Sequence, residues 1–419
     1  MRDVFVLGSS TTRFQRWPDR AHDDLAREAV LGVLADAGLS DASAVGLAVV
    51  GNCALHLFGQ PNIRGQVLLL PLILEGRFPA LTPIVNVEAG CATGGVALHS
   101  AWMAVASGQV ECALALGVEK TFIPQAPQKM LELFEGGLDQ LHPERWRALY
   151  EAAAPVCGTT FAPRPDRITI LDAAALGASW HMRRYGTTAR ALAQVASKNH
   201  AHGVLNPNAQ YRQAMSADEV LADKAVIGPF TRAMCAPISD GAAAVLLCSR
   251  DFLARHEGRG DRPAVRLAAT VLANGTRQRP DEPPVTKFAA IKAYERAGIS
   301  AEDVDVAEVH DATAFAEIAA LEALGFCREG LGGPYSESGA TALGGERPVN
   351  TSGGLESKGH PLAASGLAMA HEVTLQLRGA AGERQVAGAE WALTHNAGGL
   401  IGFDEATCAV TLFQRTDAP

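Results

Sequence analysis

Residues 25–52 read LAREAVLGVLADAGLSDASAVGLAVVGN, and residues 288–313 read FAAIKAYERAGISAEDVDVAEVHDAT. Each begins with apolar residues at helical spacing, stops at Ala-Gly-Leu/Ile-Ser, passes an acidic turn and ends in a β-branched run. Gly38 and Gly298 take the same place, just past the helix end, where the chain turns left-handed and a side chain is costly. A second matched pair follows in the same order. Val85-Asn86 leads into a helical stretch over 92–107 and a strand over 112–117, while Val349-Asn350 leads through a Gly-rich turn into a helical stretch over 361–377 and a strand over 390–395. Two matched blocks in one order predict a duplicated α/β unit. Strands alternating with helices predict a mostly parallel, helix-covered sheet in each half.

This pattern divides the chain into an N-terminal half over 1–256 and a C-terminal half over 264–419, with a linker, EGRGDRP, at 257–263. Residues 121–237 have no counterpart in the second half. They carry Pro124, Pro127, Pro155, Pro163 and Pro165 and predict an inserted loop domain with helices over 170–185 and 189–200. Excursions of this length from a packed scaffold serve as lids or binding loops.

The 419 residues hold 36 Lys and Arg against 45 Asp and Glu, a formal net charge of −9, with 48% hydrophobic residues. Such a chain lacks the basic footprint of a nucleic-acid or anionic-membrane partner. The densest apolar run, 67–74, is broken by Pro71 and far too short to span a bilayer. The start, MRDVFVLGSSTTRFQ, lacks the hydrophobic region of a secretion signal. Eight cysteines scatter without CxxC pairs or zinc-ligand spacing. The expectation is a cytoplasmic protein with reduced thiols, no metal and no tightly bound cofactor, since P-loop and GxGxxG strings are missing too.

Within IVNVEAGCATGG (84–95), Cys91 stands between a β-branched strand and a helix start. Unpaired N–H groups and the positive end of the helix dipole favour a thiolate there, and Gly90, Gly94 and Gly95 admit a close approach. Most lone cysteines are small buried apolar residues; Cys91 alone of the eight has this setting. In the matched turn SGGLESKGHPLAASG, His360 occupies a helix start, and a Cys with an adjacent His is the minimum for acyl chemistry. A capping His is the bland alternative. His310 in VHDAT and His395-Asn396 in THNAGG end predicted strands and enter loops, where open α/β sheets gather functional groups. His56 in GNCALHLFG and His142 near Trp146 are further candidates for moving a proton, or else plain loop residues.

Taken in order, VNVEAGCATGG, GQVECALALGVEK, SKNHAHGVLNPNAQY, APISDGAAAVLL, VHDATAFAEIAALEALGFCREG, PVNTSGGLESKGHPLAASGLA and THNAGG resemble the thiolase superfamily, and within it the sterol carrier protein-type thiolases. The resemblance covers almost the whole chain. It implies a thiolase-like fold, with duplicated α/β halves in a five-layer αβαβα arrangement and an inserted loop domain. It also implies a homodimer, acyl-CoA as substrate, a small-molecule acceptor and, in this branch, a small OB-fold acyl-CoA-associated partner protein. By resemblance Cys91 is the acylated nucleophile, His360 the base that activates it and later holds a thioester oxygen, and His310 a lining residue of that oxyanion site. Asn396 stands where many thiolases have a second, acid–base cysteine, and Gly398 and Gly399 belong to the same backbone turn.

The departures bear on the reaction. Position 312 is Ala where HDC strings have Cys, 396 is Asn, and GHPxGATG is altered at Ala363 and Ser365. Neither Ala312 nor Asn396 titrates near neutral pH, so ordinary 3-ketoacyl-CoA thiolysis is expected to be weak, with His395, His56 or His142 left to move the proton. The expected activity is acyl transfer: an acyl group passes from acyl-CoA to Cys91 and on to an acceptor, with carbon–carbon bond formation. A retro-aldol carbon–carbon lyase, a plain 3-ketoacyl-CoA thiolase and a noncatalytic partner subunit are the alternatives.

Overall fold

A computed structural model describes all residues except 257, 259, 418 and 419. The expected linker at 257–263 therefore lies partly outside the described residues. The first half runs β1 (Val4–Thr11), α1 (His22–Asp36), β2 (Leu47–Gly51), α2 (Arg64–Leu74), β3 (Ile84–Val87), α3 (Thr93–Ala106) and β4 (Cys112–Glu119). The insertion adds α4 (Pro127–Glu135), α5 (Pro143–Cys157), α6 (Thr169–Tyr185), α7 (Ala189–Leu205), α8 (Ala217–Ala222) and a hairpin of β5 (Ala225–Ile227) and β6 (Phe230–Thr231). β7 (Gly241–Ser249) and α9 (Arg250–Arg255) return to the scaffold. The second half runs β8 (Ala264–Ala273), α10 (Val285–Ala297), β9 (Val306–Glu308), α11 (Ala314–Ala323), α12 (Gly332–Glu337), α13 (Leu362–Arg378), β10 (Trp391–Ile401) and β11 (Asp404–Thr416).

The repeat is present in space. α1 leads to β2 as α10 leads to β9, and α3 and α13 fall at matching points. Val349, the counterpart of β3, makes only a single parallel bridge to Ala307. Layering follows from period-two burial. Phe5, Leu7, Ala48, Val50, Leu114 and Leu116 pack on α1 and α2, whereas Val4, Val6, Val49, Ala113 and Ala115, one residue out of step, face α3 and α13. Val265, Leu267, Ala392 and Phe413 reach the same central helices from the second half, and Val271, Leu393, Val410 and Leu412 pack outward on α10 and α11. Helices and sheet halves thus alternate in five layers.

The sheet corrects the expectation of two mostly parallel sheets. Among the described residues the strands form one mixed sheet, ordered β3-β2-β4-β7-β1-β8-β11-β10-β9. Only β2–β3, β2–β4 and β9–β10 are parallel. β1, β7, β8 and β11 lie outside the matched blocks and pair antiparallel. β10 and β11 are joined by a tight turn through Gly402, and only antiparallel strands close that way. The halves meet where Phe5 and Val6 pair with Arg266 and Val265. Two further details differ from expectation. α2 continues through Pro71, and α7 runs one turn past 200 because His202 bonds Asn350 O at 3.0 Å there. Among the described residues no helix is long and apolar enough to cross a membrane.

Candidate active site

The first half delivers Cys91. After β3 the chain makes one 3-10 turn, Gly90–Ala92, straight into α3. Gly90 sits at φ +54, where a side chain is strained. Thr93 Oγ1 closes the turn, accepting the Ala89 N–H at 2.8 Å and donating to Gly90 O at 2.7 Å. β10 braces it: Asn396 Nδ2 donates to Cys91 O at 2.9 Å, and Asn396 Oδ1 accepts the Gly95 N–H at 3.0 Å. A Cβ on Gly398 would land on Ala89 O and Ala92 N. Gly398→Ala is therefore expected to cost about 1–3 kcal/mol and to slow acylation by displacing Cys91; a melting curve beside an acylation time course checks both.

The second half delivers the histidines. His310 follows β9, whose exit is fixed by Asn350 Oδ1 accepting the Val309 N–H at 2.8 Å. Asp311 accepts the Leu355 N–H at 2.7 Å, tying the HDAT turn to the GGLES turn. His360 precedes α13 and donates its backbone N–H to Ser239 Oγ at 3.0 Å. Ser365 Oγ donates to Pro361 O at 3.0 Å and lies 2.8 Å from His360 Nδ1. The serine proton being spent, Nδ1 must be the protonated nitrogen and Nε2 carries the lone pair. Among the described residues Nε2 of His360 and Nδ1 of His310 are buried without hydrogen-bond partners. The two rings meet edge to face, centroids 5.1 Å apart, and one donor atom each from Cys91, His310 and His360 lie within 4.8 Å of one another. A thiophilic divalent ion could occupy the same three donors.

Electrostatics corrects the expected thiolate. Burial, then the Glu119 carboxylate, push the Cys91 thiol up to about 12, outweighing the helix start. Burial, then Lys358, hold His360 down at about 3; His310 is also held well below its ordinary value, by burial first and then by His360. The resting pair is a neutral thiol beside a neutral imidazole. Such a pair can transfer a proton as the sulfur attacks, with no stored charge. Glu119 accepts the Cys53 and Ala54 N–H groups at 3.0 and 2.8 Å, and burial raises it to about 7.

Cys91 sits at the junction of two cavities. One, of about 500 Å³, is lined by Cys91, His56, Arg64, Gly137, Ile170 and Gly399, among others. The other, of about 210 Å³, is lined by Cys91, Ile170, His310, Ala312, Phe315 and His395, among others. Ile170 of α6 borders both, so the insertion roofs the site. The other predicted residues divide. His56 lines the larger cavity with Nδ1 on Cys53 O at 2.8 Å. His395 lines the smaller, but its ring is engaged: Nδ1 accepts the His310 N–H at 3.5 Å and Nε2 meets Thr286 Oγ1 at 3.0 Å. His142 stands half-exposed at the start of α5 beside Glu144, outside both cavities. Asn396 and Gly398 belong to β10 rather than to a loop, because pairing with β11 continues to Ile401. Gly399, at φ +64, lets Leu400 N–H reach Gly137 O at 2.8 Å, fastening the insertion to β10. Sequence reasoning saw Ser365 only as a departure; its spacing from His360 was the available signal. Glu119 offered no signal, since its partners come from distant loops.

Comparisons agree with this architecture. Residues 4–138 match the family described as Thiolase, N-terminal domain, and residues 277–410 match Thiolase C-terminal domain-like. The chain is 39% identical to acetyl-CoA acetyltransferase of Methanothermobacter thermautotrophicus, over 99% of this chain and all of that one. It is 37% identical to sterol carrier protein 2 of Gallus gallus, over 95% of this chain and 70% of the relative. It is 31% identical to benzoylsuccinyl-CoA thiolase subunit BbsB of Thauera aromatica, over 95% of both. Among solved structures, the Ltp2-ChsH2(DUF35) aldolase aligns with a TM-score of 0.74 at 21% identity, covering 98% of this chain and 97% of that one. Human mitochondrial 3-ketoacyl-CoA thiolase aligns at 0.67 and 18%, covering 99% of both. With both halves matched and relatives similar along almost the entire length, the chain belongs to the thiolase family of acyl-CoA-dependent acyltransferases.

Proposed function

We propose that this acyltransferase moves an acyl group from acyl-CoA onto Cys91 and then to the carbon of a small-molecule acceptor, forming a carbon–carbon bond. The observation that carries the reading is the unpartnered Nε2 of His360 in a cluster with Cys91 and His310, within 4.8 Å. His360 Nε2 takes the thiol proton as sulfur attacks the thioester carbonyl, and CoA leaves with that proton. His310 helps to hold the carbonyl oxygen as it gains charge. The cavity of about 500 Å³ receives the CoA arm, and the one of about 210 Å³, walled by Ile170, Ala312 and Phe315, receives the acceptor.

A homodimer fits the sheet edge at β3. Val85 is exposed there, with Leu70 and Leu74 of the adjacent α2. The aldolase neighbour is described with ChsH2(DUF35) and the Thauera relative as a subunit, which supports a small acyl-CoA-associated OB-fold partner here. Eight free cysteines suit the cytoplasm. Product analysis after mixing the protein with two acyl-CoAs tests the reading: a 3-ketoacyl product with release of CoA is expected, and acyl mass on the protein that only hydrolyses would contradict it.

A further inference from the structure

The acceptor's α-carbon needs a base, and neither Ala312 nor Asn396 titrates near neutral pH. The wall of the smaller cavity, shared with Cys91, His310 and Ala312, also carries Glu405. Glu405 stands on β11 opposite Leu400 of β10, just past the turn at Gly402. Its neighbour Asp404 is held in place by three backbone donors: Oδ1 accepts the Val285 N–H at 2.9 Å, and Oδ2 accepts the Thr276 and Arg277 N–H groups at 3.1 and 3.3 Å. The Glu405 carboxyl lies close enough to that of Asp404 to feel its charge. A buried carboxyl beside a second acidic group is driven toward its protonated form. Burial, then Asp404, accordingly push Glu405 up to about 7, against a lowering pull from Arg277.

The other charged or titratable groups at this wall are occupied. Arg277 donates to Phe403 O and Glu282 O at 3.0 and 3.1 Å. His395 is tied to Thr286 and His310, and behind the wall the Cys408 thiol, which meets the same Thr286 hydroxyl, is raised by burial. Cys91 and His310 belong to the acylation step.

We propose that Glu405 is the catalytic acid–base residue that removes the α-proton of an acceptor acyl-CoA. The proposal rests on the carbon–carbon reading above. With an acyl group on Cys91, the Glu405 carboxylate takes the α-proton of a second acyl-CoA. The carbanion adds to the Cys91 thioester carbonyl, forming the carbon–carbon bond and breaking the carbon–sulfur bond. The Cys91 thiolate leaves and takes the proton that Glu405 acquired, restoring both groups. By reversibility the same carboxyl serves thiolysis, so the weak thiolysis expected from positions 312 and 396 no longer follows.

The test is α-proton exchange of acetyl-CoA in D₂O with the full chain, measured alongside acyl mass gain. Wild type is expected to exchange, with a rate that climbs through a midpoint near pH 7. Glu405→Gln is expected to exchange about 10²-fold more slowly, without that pH limb, while still gaining acyl mass, which also reports that it is folded. Glu405→Asp should recover part of the exchange. Wild-type exchange rates in Glu405→Gln overturn the assignment to Glu405 alone. Acyl gain without exchange by wild type overturns the carbon–carbon reading and this proposal with it. Loss of both signals in both variants assigns Glu405 to folding and overturns the proposal.

Discussion

Cys91→Ala is expected to gain no acyl mass from any acyl-CoA and to lose on the order of 10³-fold or more in acyl transfer. In the proposed mechanism the Cys91 sulfur is the nucleophile, and among the described residues the other thiol at this cavity does not replace it. Cys53 lines the same cavity, but its Sγ lies 3.3 Å from Gly90 O and 3.2 Å from Thr93 Oγ1, and burial raises its thiol well above the ordinary range. The fold should survive, because the turn is held by Thr93 and Asn396 rather than by the thiol. A retro-aldol lyase has no need of a covalent thioester, so the same variant would keep its turnover. Intact mass and steady-state rate, measured on one preparation, separate the two chemistries.

His360→Asn is expected to fold and to lose about 10²-fold or more in acylation rate, the scale of a missing general base. Its amide can still donate toward Ser365 but cannot take the thiol proton, and a thiol held near 12 does not ionise unaided. His310→Ala should fall in the same direction through loss of oxygen stabilisation. Loss of melting temperature in step with activity would instead make either histidine structural. The acid limb supplies a second check. His360 is lowered from 6.5 to about 3, so between those values the unfolded chain binds the extra proton. Its contribution to stability is complete above pH 6.5 and is lost on acidification toward 3. Wild type should therefore lose stability relative to His360→Asn over that window, seen as a narrowing difference in denaturation midpoints.

The duplication was legible because Gly38 and Gly298 mark helix ends by backbone geometry that any residue but glycine resists. The meeting of Cys91 and His360 followed from it, since matched turns before α3 and α13 converge once those helices pack together. Strand direction was not legible: β7, β8 and β11 lie outside the matched blocks, and their antiparallel pairing is set by their neighbours in the sheet and, for β11, by the tight turn from β10. The ionisation of Cys91 was misjudged because burial and Glu119 are tertiary facts, whereas a helix start is a local one. THNAGG has the composition of a loop, yet pairing with β11 makes Asn396 strand, and its amide grips the Cys91 turn. His56 and His142 had equal standing in sequence. Only the packing of 3-10 residues Leu55–Phe58 near Cys91 draws the first into a cavity, while the second caps an outer helix. Glu405 needed the hairpin through Gly402 to bring it to the acceptor wall.

The proposed mechanism puts acyl-Cys91 on the reaction path. Rapid-quench of the wild-type protein with isotopically labelled acyl-CoA, followed by peptide mapping, tests it most directly. Label is expected on the peptide containing Cys91, forming and decaying at least as fast as product appears. Label on another residue, or an acyl-enzyme that forms or decays more slowly than turnover, would rule out a path through acyl-Cys91.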